Sequence, residues 1–493
     1  MNTKIILATI NARYIHTAFG LRYLYANLKE LIPQAIIKEF NLGEQNQNII
    51  EELLQYDSVI VNFSIYIWNV AQTTEIIKTI KLLRPEITIA VGGPEASYEY
   101  ETAEWFPFVD YLLRGEGEIE FYNLCSDITA NRQRSEKVIN CEAIEDLSTI
   151  EMPYRYYFDS DIANRVIYVE SSRGCPFSCE FCISSLDKKV RKFPLEPFLA
   201  EMKVLIDRGV HHFKFVDRTF NLEMDRVSRT LNFFLENWKD GMQLHFEIVP
   251  DKMRPELLEQ MSLFPDEGLH LEVGVQSYNP STQKLISRKQ DFKKSEKSIH
   301  YLMNRTGALV HTDLVIGLPD ETLDSFADGF NQLIKLRPQE IQIGFLKRLK
   351  GTPINRHTEN FKIIYSSYPP FEVLQTKDIS YKEMLLLKKF SRYFDLYYNS
   401  GNFPETTELL WAMPPNEFEA FMQLSEFLWN NTRQTFKFSL KKLTQYIYQF
   451  LISSEAYTED KIIDSIKNDF YRIPGRKEKL ESVLGISKAS ARW

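Results

Sequence analysis

Three of the chain's five cysteines fall within eight positions, as Cys175, Cys179 and Cys182 in the stretch CPFSCEFC. Thiolates are soft metal ligands, and intervals of three and two residues let all three converge on one centre. A closed zinc site wants a fourth protein ligand. Cys125 and Cys141 lie far off in the sequence and make no second pair. Three thiolates with no evident fourth suit a cubic iron–sulfur cluster, in which one iron stays open to an outside ligand. The alternative is three buried thiols with no metal, which leaves the spacing to chance. Cysteine clusters in a cytosolic chain usually bind metal or do chemistry.

Something must hold that loop. NRVIYVESS, which leads into it, reads as a strand, and HHFKFVD, LHFEIVP, LHLEVGVQS, VHTDLVIGLP and EIQIGFLK follow with helical segments between them. Six strand–helix units over residues 165–374 predict a partial (β/α)6 barrel whose active site lies where the strands end. Ahead of it, residues 1–125 alternate β-branched runs (KIILATI, AIIKEF, SVIVNFSIYI, ITIAVGG) with amphipathic stretches such as NVAQTTEIIKTIKLLRP. That pattern predicts a doubly wound parallel sheet with its ligand beyond the carboxyl ends of the strands. Residues 126–164 read as a linker. Residues 375–493 read as a helical third domain with aromatic and leucine stripes, which are expected to be core. By position that domain is expected to cap the barrel mouth.

Composition narrows the class. At 493 residues the chain is too long for one core. Five cysteines do not make a disulfide framework, which points to a reducing compartment. No signal peptide and no bilayer-spanning apolar run is read, so the expected location is the cytoplasm. A net charge of −8 argues against nucleic acid as the main partner.

The cysteine stretch resembles the C-x3-C-x2-C motif of radical S-adenosylmethionine (radical SAM) enzymes, with Phe181 as the aromatic before the last cysteine. The resemblance runs strand by strand over residues 165–355. It implies a [4Fe-4S] cluster whose open iron holds the amino and carboxylate groups of SAM, and cleavage of SAM to a 5′-deoxyadenosyl radical. Carried over by motif, Asp217 and Thr219 in FVDRTFN fall where the second strand meets the SAM amino group, although the family's glycine pair is missing there. Glu247 in FEIVPD falls where a similar glutamate in oxygen-independent coproporphyrinogen oxidases meets the ammonium. Gln276 and Asp313 are implied for the ribose hydroxyls and Arg288 for the carboxylate. The pairing is chemically apt, since an anion faces an ammonium and a guanidinium faces a carboxylate.

The amino-terminal part resembles the cobalamin-binding domain of cobalamin-dependent radical SAM enzymes. NARYIHTAFGLRYL, SIYIWN, VGGPEAS and RGEGE carry this likeness. It implies cobalamin contacts from Asn11, Tyr14, His16, Ser64, Tyr66, Gly92, Gly93, Pro94, Glu95, Gly115 and Glu116. The D-x-H-x-x-G sequence of cobalamin-dependent mutases is absent, so His16 is read as a cofactor or solvent contact rather than a cobalt ligand. The helical third part resembles a carboxy-terminal domain of uncharacterised function found with this pair.

Together these resemblances imply a methyltransferase that acts on an unactivated carbon through the adenosyl radical and methylcobalamin. Its substrate would be a small molecule or peptide, and its electron donor a flavodoxin or ferredoxin. Ring contraction, cyclisation or rearrangement without methyl transfer is the alternative. A cobalamin- or redox-responsive binding protein is disfavoured, because a binding module need not keep radical-generating groups. Methylthiotransferases are disfavoured too, for want of a second cysteine triad and an RNA-binding appendage.

Overall fold

The computed structural model describes residues 4–132, 134–472 and 478–485. Its first sheet is parallel throughout: β1 (Ile5–Asn11), β2 (Ala35–Asn41), β3 (Ile60–Ser64), β4 (Thr88–Gly92), β5 (Tyr111–Gly115) and β6 (Val138–Cys141). The spatial order is β2-β1-β3-β4-β5-β6. Strand order reverses at β1 and β3, the switch point beyond which such sheets hold ligands. β1 is buried along its whole length because helices cover both faces. Ile6, Ala8 and Ile10 pack to one side, Ile5 and Leu7 to the other.

The segment 126–164, expected as a linker, is partly built into this sheet. Val138–Cys141 adds a sixth strand beside β5, with Leu112 opposite Val138 and Gly115 opposite Cys141. Four residues are too few for alternation to register in the sequence.

A second parallel sheet begins with β7 (Ile167–Val169). A short antiparallel pair, β8 (Ser172–Arg173) with β9 (Arg191–Lys192), then clasps the cysteine loop. The sheet continues through β10 (His212–Phe215), β11 (Gln243–Ile248), β12 (Leu269–Gln276), β13 (Leu309–Ile316) and β14 (Glu340–Phe345), each beside its predecessor. β12 shows the design most plainly. Leu269, Leu271, Val273 and Val275 are buried against the outer helices, while His270, Glu272, Gly274 and Gln276 alternate onto the inner face.

None of the described residues of the helical third domain lines the cavity at the barrel mouth, where that domain was expected as a cap. Its first helix, Tyr381–Phe394, and the turns after it lie along the barrel's last strand, β14. Asn399 accepts from the Ile341 N–H at 3.0 Å and donates to the Ile341 carbonyl at 3.0 Å, while Ser391 donates to the Ile343 carbonyl. These side chains satisfy backbone groups of a strand that would otherwise be an open edge. Phe390, Phe394 and Phe418 meet Phe330 of the barrel helix Leu323–Ile334, so barrel and third domain share one core. Among the described residues no helix is long and apolar enough to cross a membrane.

Candidate active site

The loop between β8 and β9 brings Cys175, Cys179 and Cys182 onto a single cavity at the strand ends of the second sheet. Backbone bonds fix its shape: the Cys175 N–H donates to the Asp187 carbonyl at 2.8 Å, and the Cys182 N–H to that of Cys179 at 3.1 Å. Burial, and then the nearness of Cys182 and Cys179, push the Cys175 thiol up, although the Phe177 backbone opposes this. Three sulfurs aimed at one space repel as thiolates until a cationic centre compensates them. The triad is not among the side chains whose ligand atoms gather within 4.8 Å of one another. A single tetrahedral zinc at a Zn–S bond of about 2.3 Å would hold its sulfurs only about 3.8 Å apart. The wider opening fits a cluster better than one ion.

Phe181, Thr219, Glu247, Gln276, Arg288 and Asp313 line this same cavity. Alternation along the strands explains why: Glu247, Gln276 and Asp313 share the inner face with Glu272 and Gly274. Glu247 pairs with Arg218 at 2.7 Å; burial pushes its carboxyl up and Arg218 opposes. Arg288 is held by the Gln290 side chain at 3.0 Å, the Gly274 carbonyl and Cys179 Sγ at 3.5 Å, none of them a carboxylate. Gln276 sits at φ +71° where β12 slips register, a conformation that costs a non-glycine residue energy and clusters at functional sites. A Cβ on Gly274 would come within 2.7 Å of Gln276 Nε2 and 3.2 Å of Arg288, so the missing side chain makes room for both.

Asp217 lies elsewhere. Its carboxylate accepts from the Ser171 N–H (2.9 Å), Ser171 Oγ (2.7 Å) and Ser172 Oγ (2.6 Å), so it fixes the exit of β7 and turns away from the cysteines. A buried aspartate with three donors is satisfied without a ligand.

The residues expected at cobalamin divide in the same way. Ser64, Tyr66, Gly92, Gly93, Pro94, Gly115 and Glu116 line two adjoining cavities beyond the strand ends of the first sheet. Gly93 and Gly115 have φ of +102° and +106°, and a Cβ there would stand 2.6 Å and 2.1 Å from the Ile65 and Cys141 carbonyl oxygens. Only glycine fits, and its bare backbone offers a large flat ligand close approach. Four other residues have partners of their own. Asn11 donates to Glu39 and the His16 carbonyl, Tyr14 is exposed over Arg165, and Glu95 is buried against Lys350 at 2.9 Å. The Nδ1 of His16 meets the Tyr168 hydroxyl of the barrel at 2.8 Å.

Three residues with no clear signal in the sequence organise the site. Arg218 pairs with Glu247 and opposes the upward push of burial on its carboxyl. Glu180, inside the cysteine motif, is buried and accepts from Ser287, Arg356 and His357 (3.0 Å), which holds its carboxyl below the usual range despite burial. Arg173, just before the loop, reaches Glu118 at 2.7 Å and Glu116 at 3.4 Å in the first domain, and Glu170 at 3.0 Å. Only the cluster of acids in RGEGEIE and the lone arginine of RGCPFSC hinted at that pairing.

Comparison with known proteins agrees with this geometry. Residues 5–124 match the B12 binding domain, 169–333 the radical SAM superfamily, and 359–490 a protein family of unknown function, DUF4080. An uncharacterised methyltransferase of Pyrococcus horikoshii is 24% identical over 62% of this chain and 70% of its own. The cobalamin-dependent radical SAM methyltransferase TokK of Streptomyces tokunonensis is 24% identical over 60% of this chain and 48% of its own. The chain thus spans about half the length of TokK. The solved structure of the cobalamin-dependent S-adenosylmethionine radical enzyme OxsB shares the fold at TM-score 0.63 and 15% identity, covering 98% of this chain and 79% of that one.

Proposed function

Because the chain joins a B12-binding domain to a radical SAM domain and so belongs with the cobalamin-dependent radical SAM enzymes, we propose that it is a methyltransferase for an unactivated carbon of a small molecule or peptide. The observation that supports this reading is where the cavities meet. Ile183, next to Cys182, lines the same space as Gly93, Pro94 and Gly115 of the first domain. A methyl donor held on those glycines stands beside the loop that carries the cysteines. When bound, the cluster supplies the electron that cleaves SAM to a carbon radical, and cobalamin supplies a transferable methyl group. The chain's own residues bind and orient: Glu247 faces the SAM ammonium, Arg288 its carboxylate, and Gln276 and Asp313 the ribose hydroxyls. His16, tied to Tyr168, braces the two domains against each other.

The test uses methyl-deuterated SAM with cobalamin-loaded, reconstituted enzyme, a flavodoxin or ferredoxin donor, and an extract of small molecules and peptides. The expected result is 5′-deoxyadenosine, S-adenosylhomocysteine and a product that carries the labelled methyl. Formation of 5′-deoxyadenosine without labelled product or S-adenosylhomocysteine would remove methyl transfer and leave cyclisation or rearrangement.

Arg288 gives a narrower prediction. Its replacement by Ala should weaken SAM binding by more than tenfold, about 1.5–3 kcal/mol for a lost charge-assisted contact. Calorimetric titration of the reconstituted variant checks this. Unchanged affinity would mean that the guanidinium serves only Gly274 and Gln290.

A further inference from the structure

The inner face of the second sheet carries a polar cluster below the SAM-sized cavity that the reading above does not use. His270 lies one inward-facing step before Glu272 on β12, and Glu272 lines the cavity. His311 lies opposite Glu272 and one inward step before Asp313 on β13, and Glu340 pairs with His311 across to β14. Alternation therefore turns His270 and His311 inward, about 7 Å of strand below Glu272 and Asp313, with Glu340 beside His311 on the same face. His270, His311 and Glu340 each offer a ligand atom, and these atoms lie within 4.8 Å of one another.

We propose that His270, His311 and Glu340 form a binding site for a divalent cation that prefers imidazole, with zinc the best fit. Two imidazoles and a carboxylate are a zinc ligand set that leaves a fourth position for water or a substrate oxygen. A packed wall of apolar residues would be the ordinary filling for the inside of a parallel barrel. Here three histidines stand on neighbouring strands instead, with His245 and His270 stacked at 4.2 Å and His270 and His311 at 5.8 Å. His311 Nε2 lies 3.3 Å from the Asp313 carboxylate, and His245 Nε2 lies 2.7 Å from that of Glu272. The other His311 nitrogen faces Glu340 at 3.6 Å, too long for a hydrogen bond and open to a bridging ion. His245 and Glu272 stand behind the group as outer partners that fix ring orientation.

The site is independent of methyl transfer, so its test does not use activity. The full-length enzyme with its cluster reconstituted is dialysed against micromolar zinc, and metal content is measured together with zinc-edge X-ray absorption. We expect one zinc per chain bound through nitrogen and oxygen at about 2.0–2.1 Å. Glu340→Gln, at a position with a 40% exposed side chain where the fold is least at risk, should lower zinc affinity by on the order of tenfold or more while the iron content stays unchanged. His311→Gln should do the same. No stoichiometric zinc, zinc bound through sulfur at about 2.3 Å, or undiminished zinc in both variants would overturn the site.

Discussion

Replacing Cys175, Cys179 and Cys182 with Ala together should abolish iron binding, whereas anaerobically reconstituted wild type should carry about four irons and four sulfides per chain. The contrast with the other two cysteines makes the result diagnostic. Cys125 and Cys141 are buried in the core of the first domain, and burial pushes both thiols up, that of Cys141 to about 12. Neither is a thiolate at neutral pH, and neither lies on the cavity that the triad lines. Cys125→Ala and Cys141→Ala should therefore keep the full iron content, at the stability cost of a small core cavity. Iron and sulfide assays with the visible spectrum decide it. A loss of half the iron in either single variant would mean a second cluster and would sink the single-cluster reading.

The triad was legible because its ligands lie within one short loop, so spacing alone carried the chemistry. Glu247, Gln276 and Asp313 were reached through the resemblance, and a period of two along three strands is the physical reason they share a face. Arg288 was reached only through the resemblance. The resting partners of these residues were not legible, because periodicity names a face and not a neighbour. Nothing in CPFSCEFC says that Glu180 meets Arg356 and His357 more than 170 residues on. Asp217 looked like its neighbours on the strand pattern, but Ser171 and Ser172 turn it aside. The three-part α/β architecture followed from alternating runs. The strand at Val138–Cys141 and the docking of the third domain along β14 did not, since each depends on pairing with distant backbone.

Arg173→Ala is expected to destabilise the protein by roughly 3–5 kcal/mol, the cost of leaving buried charge without its partner. The guanidinium sits over the Tyr23 ring at 4.6 Å with its side chain only 11% exposed, and it is the cation shared by Glu116, Glu118 and Glu170. Arg191 supports Glu116, but Glu118 and Glu170 have no other cation at bonding distance among the described residues. Burial pushes Glu170 up to about 7 even with Arg173 opposing. A carboxyl raised in the folded state contributes stability that is full below its ordinary value of about 4.3 and lost as pH rises through 7. Removing Arg173 raises Glu170 further, so the variant goes on losing stability above pH 7 where wild type has levelled off. Urea midpoints at pH 6 and pH 8.5 should show a larger deficit at the higher pH, and adding Glu170→Gln should shrink that difference. An equal deficit at both values would mean that lost packing against Tyr23, not charge, is what the substitution removes. Because Arg173 reaches the first domain through Glu118 and stands two residues before Cys175, the same change should also lower iron retention. The pairing that holds the two domains together thus also holds the cysteine loop against them.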